Sequence, residues 1–314
     1  MQQREVRHVA VIGTGTIGAS WAAFFLSRGL RVTASDPAPE AEALLRRFID
    51  SAWPVLTQLR ANAAAPPHDA LAFCAEPETA VAEADFVQEN APERETVKQA
   101  LLARIDAVLP PEVIIASSSS GLLISRLQAG CRHPERCVIG HPFNPPHLIP
   151  LVEVVGGERT APTAIDRALA FYKAIGKRPI HIRREVAGHV ANRLQAALWR
   201  EAVHLVAAGV ASVADVDAAI SEGPGLRWAL MGPHLTFHLA GGTGGMTHFL
   251  EQLGPPLESW WDDLGEPRLS PEIGQALTAG VAAEAEGRDI GALAADRDRF
   301  LVDLLALKGA RRDS

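Results

Sequence analysis

Residues 8–36 constrain the fold more than any other stretch. His8-Val9-Ala10-Val11-Ile12 is an apolar run with the length of a buried parallel strand. Gly13-Thr14-Gly15-Thr16-Ile17-Gly18 follows at once, and Ala19 to Arg28 continues at helical period with Trp21, Phe24, Phe25 and Leu26 as bulk. A lone GxGxxG is weak, but between a strand and a helix it has the context in which it cradles a dinucleotide. Gly13 permits the tight turn, Gly15 lets backbone approach a pyrophosphate, and Gly18 lets helix and strand pack closely. Thr16 and Ile17 open the helix whose N-terminus faces the phosphates. Leu30 to Ser35 reads as a second strand ending in Asp36. An acid there can take both hydroxyls of a ribose and repels a 2′-phosphate. Pro37 comes next, with no Arg to receive that phosphate, so the expected cofactor is NAD rather than NADP. A tight turn with a helix-capping Asp36 is the competing reading.

The predicted fold class is α/β: a Rossmann-type doubly wound sheet, followed by an all-helical C-terminal domain. The 314 residues suffice for two domains, drawn at 1–186 and 187–314. A formal net charge of −7 and only 30 Lys plus Arg, with no basic block, argue against a nucleic-acid partner. The opening MQQREVRHVAVIG leaves no room for a signal-peptide core, and no apolar run reaches bilayer length. Cys74, Cys131 and Cys137 are odd in number and lack metal-ligand spacing, which fits reduced thiols in the cytoplasm and no metal.

Further along, Ala38 to Arg60 looks helical and Ala61 to Asp69 reads as a mobile turn. Phe86 to Glu89 is a strand, and Ala91-Pro92-Glu93 is expected to open the next helix with Pro92 in its first turn. Val113 to Ala116 is another strand, running into Ser117-Ser118-Ser119-Ser120-Gly121. Ligands in an open parallel sheet sit beyond the carboxyl ends of the strands. The serine run is therefore placed at the crevice, with a helix-capping turn before Leu122 as the alternative.

Val138 to Val155, VIGHPFNPPHLIPLVEVV, carries the chemistry. Two apolar strands flank the stiff Asn144-Pro145-Pro146 turn, and Glu153 interrupts the second. A carboxylate inside an apolar strand is costly to bury unless a cation or hydrogen-bond donors meet it. Folding the strands back at the prolines brings Glu153 near His141, and an imidazole oriented by a carboxylate is a general acid/base unit. A structural ion pair is the bland alternative.

GTGTIG, SSSSGL, GHPFNPPHLIPLVEVV and GHVANRL, in that order from Val9 to about Leu194, resemble the 3-hydroxyacyl-CoA dehydrogenase superfamily. The resemblance implies that His141 is the catalytic base and Glu153 its partner acid. It implies that Ser120 and Asn192 hold the substrate oxygen. Asn144 would match the asparagine of the HxxN motif that supports the site on the cofactor side. Glu93 and Lys98 fall where the superfamily contacts the nicotinamide ribose. Members usually dimerise through the helical domain, so a homodimer is expected.

The helical half points to a small hydroxy acid as substrate. Lys177 to Ile182 reads as the last strand, and Ala191 to Ala208 as a helix apolar on nearly every side, suited to burial between partners. Val213 to Ser221 is a helix with Asp215 and Asp217 outward, and 271–312 a charged helical section. GPGLRW (223–228), GGTGG (241–245) and Trp260-Trp261 resemble the carnitine dehydrogenase branch, and next the gulonate dehydrogenases and lambda-crystallins. Carnitine carries a carboxylate and a trimethylammonium either side of a 3-hydroxyl. Arg227 can fork onto the carboxylate. Trp228 and Phe249, with Phe237, Trp260 and Trp261, are candidate cation–π walls, although aromatics in helices are more often core. No Lys precedes Lys98, and 38–76 holds only Arg46, Arg47 and Arg60, thin provision for a coenzyme A phosphate. Gulonate, an acyl-CoA, or non-catalytic NADH binding are the rival readings.

Overall fold

A computed structural model describes residues 5–59 and 65–311. The first four residues, Arg60 to Ala64 with the first four positions of the expected mobile turn, and Arg312 onward lie outside them. The chain divides into two compact units. Residues 1–192 and 298–306 form the first, and residues 193–297 and 307–314 the second.

The first unit begins with β1 (His8–Ile12), α1 (Thr16–Ser27), β2 (Arg31–Ser35), α2 (Ala41–Leu59), β3 (Leu71–Cys74), α3 (Pro77–Val81) and β4 (Phe86–Glu89). It continues with α4 (Glu95–Asp106), β5 (Ile114–Ser117), α5 (Ile124–Leu127), β6 (Cys137–Pro142), β7 (Leu151–Gly156), α6 (Pro162–Ala174) and β8 (Arg178–His181). The strand order is β3-β2-β1-β4-β5-β6-β7-β8. Neighbours pair in parallel except β6 and β7, which are antiparallel. Order reversal between β1 and β4 is the mark of a doubly wound sheet.

Both faces of the sheet are covered, so its strands are apolar without a polar face. Along β1 the side chains still alternate between two cores. Val9 and Val11 join the aromatic layer of α1, α2 and α6, while Ala10 and Ile12 join the aliphatic layer of α3, α4 and α5. In the first layer Trp21 stacks on Phe25 at 5.0 Å, and Phe86 packs tilted against Phe171 at 4.1 Å.

Several elements differ from expectation. β3 and α3 are additional. β3 is a four-residue edge strand whose side chains are mostly part-exposed, which leaves it little apolar signature. α4 begins at Glu95, not at Pro92: the Arg94 N–H donates to the Pro92 carbonyl at 2.7 Å and turns the chain before the helix starts. The helix expected from Leu122 is only the single turn α5. α2 carries Pro54 inside it.

The second unit is helical: α7 (Ala191–Ala207, its first two residues belonging to the first unit), α8 (Val213–Ser221), α9 (Pro224–Trp228), α10 (Pro233–Ala240), α11 (Gly245–Asp263), α12 (Pro271–Glu284) and α13 (Ile290–Ala310). α8 starts with a capping box between Ser212 and Asp215, so Asp215 has a structural task and Asp217 remains outward. Arg227 lies in the short helix α9. Burial of α7 on all sides is not met within this chain. Val203 is its one buried residue, while Leu194 and Trp199 are more than half exposed. No helix among the described residues is long and apolar enough to cross a membrane.

The turn between β6 and β7 is fastened to the aromatic layer. The Asn144–Pro145 peptide is cis. The Lys177 ammonium donates to the Pro146 and Ile149 carbonyls (2.9 Å to the latter) and lies over the Phe24 and Trp21 rings at 4.0 and 4.9 Å. Burial pulls Lys177 down to about 7. Ser20 Oγ and His147 Nδ1 are 2.8 Å apart, and the His147 N–H also donates to Ser20 Oγ.

One packing contact sits directly beside His141. A Cβ on Gly140 would stand 2.1 Å from the Tyr172 hydroxyl oxygen. That hydroxyl donates to Gln88 Oε1, and Gln88 Nε2 donates to the Gly140 carbonyl. Gly140→Ala should therefore cost about 1–3 kcal/mol through overpacking. Adding Tyr172→Phe should recover part of that loss by removing the clashing oxygen. Thermal unfolding of the two single variants and the double variant measures the coupling; strictly additive losses would exclude the contact as the cause.

Candidate active site

The nucleotide-binding turn has the geometry its three glycines require. Gly13 has φ +86°, and a Cβ there would lie 2.7 Å from the Asn90 carbonyl carbon. A Cβ on Gly18 would meet the Gly13 carbonyl oxygen at 1.8 Å. A Cβ on Gly15 would meet nothing within 4 Å, and Gly15 caps α1 with no side chain on the first-turn amides. The residues present thus fit a pyrophosphate: the first turn of α1, opened by Thr16 and Ile17, keeps its backbone N–H groups free of any side-chain cap. Asp36 closes β2 as expected. Its Oδ2 accepts from the Thr14 N–H at 2.8 Å and from the Thr14 hydroxyl, and its Oδ1 from the Ala38 N–H. These bonds fix the glycine turn against the end of β2.

The serine run is organised by two acids. Glu89, at the end of β4, is fully buried. It receives the Ala91 N–H, the Ser117 hydroxyl and the buried Lys98 ammonium, at 2.8 and 3.0 Å to its two oxygens. Lys98 lies 3.8 Å from Glu93. Glu93 Oε1 accepts from the Ser119 hydroxyl at 2.6 Å and from the Ser120 and Gly121 N–H groups. Burial pushes the Glu93 carboxyl up, but those bonds and Lys98 outweigh it and hold the carboxyl below its ordinary value. Ser120 itself is exposed. Asn144 is also exposed, at the cis turn.

His141 and Glu153 are cross-strand partners in the antiparallel register of β6 and β7. Opposed residues in such a pair put their side chains on one face. His141 Nδ1 and Glu153 Oε2 are 2.9 Å apart, and both residues are buried. A carboxylate only accepts, so Nδ1 carries the hydrogen and Nε2 is left with the lone pair. The other Glu153 oxygen, Oε1, accepts from the Val190 and Ala191 N–H groups at 3.0 and 2.9 Å. Glu153 is thus also an anion at the N-terminus of α7, a favourable end of the helix dipole. Burial raises the Glu153 carboxyl; the His141 bond and the two amides outweigh it, and the net direction is downward. Asn192 follows in the first turn of α7, half-buried.

Four residues of this arrangement were given no site role by the sequence, Gln88, Glu89, Tyr172 and His189, and within the serine run Ser119 was not singled out. Glu89 carried a signal like that of Glu153, an acid in a strand that opens on apolar residues, here at its end. His189 has φ +52°, packs its ring 5.1 Å from that of His141, and places Nε2 2.9 Å from the Ser119 carbonyl oxygen.

Arg227, Trp228 and Phe249 lie in the second unit. Arg227 is exposed and Trp228 partly so. Phe249 is buried and stacks on Phe237 at 4.7 Å, while Trp260 and Trp261 are exposed. The GGTGG segment is a tight turn in which Gly242 and Gly245 have positive φ and the His238 ring packs against Gly245. The described residues hold no group of three or more His, Cys, Asp or Glu able to bind a metal.

A doubly wound sheet with an open glycine turn and a buried His–Glu pair across strands β6 and β7 defines a dinucleotide-dependent dehydrogenase. Comparison with known proteins is more specific. Residues 8–186 match the 3-hydroxyacyl-CoA dehydrogenase NAD-binding domain, and residues 188–283 match the 3-hydroxyacyl-CoA dehydrogenase C-terminal domain. The chain belongs to this family of NAD-dependent oxidoreductases. The L-carnitine dehydrogenase of Streptomyces coelicolor is 54% identical over 304 residues, 97% of this chain and 95% of its own. That of Pseudomonas aeruginosa is 48% identical, covering 99% and 95%. A crystal structure of an NAD+-dependent dismutase, 5-formyl-3-hydroxy-2-methylpyridine 4-carboxylic acid 5-dehydrogenase, superposes with a TM-score of 0.83 at 32% identity, covering 96% and 98%.

The Glu153 bonds predict a pH signature. A carboxyl held below its ordinary 4.5 contributes stability above that value and loses it as pH falls through the lowered pKa. Glu153→Gln should therefore be less stable than wild type at pH 7, by about 1–3 kcal/mol for bonds left unmade. The gap should narrow below about pH 4. Thermal melts across pH 3–7 check this, and a gap independent of pH would exclude an ionised Glu153.

Proposed function

We propose that the protein oxidises the 3-hydroxyl of L-carnitine to 3-dehydrocarnitine, with NAD reduced to NADH and a proton released. The observation that carries the chemistry is the His141–Glu153 pair, with Nε2 as the free acceptor of the hydroxyl proton. NAD, when bound, supplies the acceptor for the hydride leaving the alcohol carbon. Gly13, Gly15, Thr16, Ile17, Gly18 and Asp36 would hold it, with Glu93, Lys98 and Asn144 towards its nicotinamide half. Glu153 orients the imidazole and balances the charge that His141 gains with the proton. Ser120 and Asn192 hold the reacting oxygen, so geometry is set before transfer. The named relatives supply the choice of carnitine, supported by the likeness of the helical half to that branch. Arg227 would take the carboxylate, and Trp228 and Phe249 would contribute apolar walls for the trimethylammonium. Phe249 is the weakest of these, since its ring is already buried against Phe237.

The exposed apolar side chains of the helical unit, among them Leu194, Leu198, Leu235, Leu239 and Leu250, support a homodimer formed through it. Sedimentation should give twice the chain mass; a monomer at micromolar concentration would refute this. Unpaired Cys74, Cys131 and Cys137 and the use of NAD fit the cytoplasm.

NADH formation should be seen with L-carnitine and be weak or absent with L-gulonate and 3-hydroxybutyryl-CoA. Turnover only on the CoA ester would replace the substrate; tight NADH binding with no turnover on any would indicate a binder. His141→Ala should cut turnover at least about a hundredfold with NADH affinity nearly unchanged. Arg227→Ala should raise the KM for carnitine about tenfold or more, as loss of a charge-assisted pair implies.

A further inference from the structure

His189 occupies a position that the mechanism above does not use. The residue is 1% exposed and its ring lies between three parts of the site. Nε2 meets the Ser119 carbonyl at 2.9 Å, the ring centroid is 5.1 Å from that of His141, and the next two residues give their N–H groups to Glu153. The backbone reaches this place through Gly188 at φ +76° and His189 itself at φ +52°. A non-glycine residue at positive φ is uncommon, and such conformations concentrate at functional sites.

A backbone carbonyl only accepts, so Nε2 must carry the hydrogen. Nδ1 then holds a lone pair. That atom is buried and has no hydrogen-bond partner among the described residues. A buried acceptor left unpaired is disfavoured, so its retention beside the reactive histidine calls for a donor that arrives with a ligand. Its electrostatic setting suits a neutral acceptor. Burial lowers the His189 pKa, with His141 lowering it further, against the raising effects of the Ser119 carbonyl, Glu153 and Glu93.

Which ligand brings the donor follows from the reactants. L-carnitine has one O–H and no N–H, and that hydroxyl proton is the one His141 removes. The nicotinamide half of the dinucleotide carries ribose hydroxyls and a carboxamide NH2. We infer that His189 is a cofactor-binding residue whose Nδ1 accepts a hydrogen bond from the nicotinamide half of NAD, its orientation fixed by the Nε2–H bond to Ser119. This rests on the proposed substrate only through that elimination.

Three variants separate the two nitrogens. His189→Gln keeps a donor near the Nε2 position without the acceptor at Nδ1. His189→Asn keeps an acceptor near Nδ1 without the Ser119 bond. His189→Phe removes both. Dissociation constants for NADH, ADP-ribose and AMP are measured by calorimetry without substrate, on variants whose unfolding temperatures show them to be folded. NADH affinity should fall about tenfold in the Gln and Phe variants and less in Asn, with AMP unchanged. Loss for NADH alone would assign the donor to the carboxamide, and loss for ADP-ribose as well would assign it to the ribose. Unchanged NADH affinity in folded Gln and Phe variants would overturn the inference. So would full rescue by Gln with loss in Asn, which would reduce His189 to a tether for Ser119. Because no substrate is present, these results stand whether or not carnitine is turned over.

Discussion

The site depends on one buried carboxylate. Glu153 interrupts a strand otherwise made of Leu, Val and Gly, where an unmatched charge would be strongly disfavoured. It is matched on both oxygens: Oε2 by the imidazole of its cross-strand neighbour and Oε1 by two amides at the start of α7. The same group therefore selects the His141 tautomer and fixes where the chain leaves the sheet. A single acid couples His141, the proposed base, to the backbone that carries Asn192. Removing it leaves two orphaned N–H groups and an unanchored ring at once.

Around that carboxylate the strand ends are cross-tied by polar side chains that would be costly to bury singly. Glu89 binds β4 to β5 through Ser117 and to α4 through Lys98. Gln88 links Tyr172, Ser118 and Gly140. Glu93 gathers Ser119, Ser120 and Gly121, and His189 closes the circuit from Ser119 back to His141. Networks of this kind specify one arrangement only when nearly every member is satisfied. The exception, Nδ1 of His189, is informative for that reason.

Much of the first unit was legible because its signals are local. The glycine turn, Asp36 and the alternating strands each depend on residues close in sequence, and the His141–Glu153 pairing needed only a hairpin between two apolar runs. β3 was not legible, since an edge strand of four residues has neither the length nor the burial to leave a pattern. The start of α4 was misplaced because helix signals near Pro92 were overridden by the need to turn Glu93 back onto the serines. Lys98 and Glu93 were placed against the ribose by resemblance; their strong bonds to Glu89 and to Ser119 join residues brought together only by the sheet.

The helical half resists reading for a different reason. Its aromatics sit on helices whose exposed faces can serve packing, a partner or a ligand, and residue type does not separate these uses. Phe249 illustrates this: a candidate ligand wall by sequence, it is stacked on Phe237 and removed from solvent. Arg227 carries a stronger argument, because an exposed guanidinium on a short Gly-Pro-initiated helix has no core role to explain it. Discrimination between hydroxy acids that share one 3-hydroxyl must come from groups that meet their unlike ends. On the proposed reading the reaction is set in the sheet, by His141 and Glu153, and the choice of substrate in the helices.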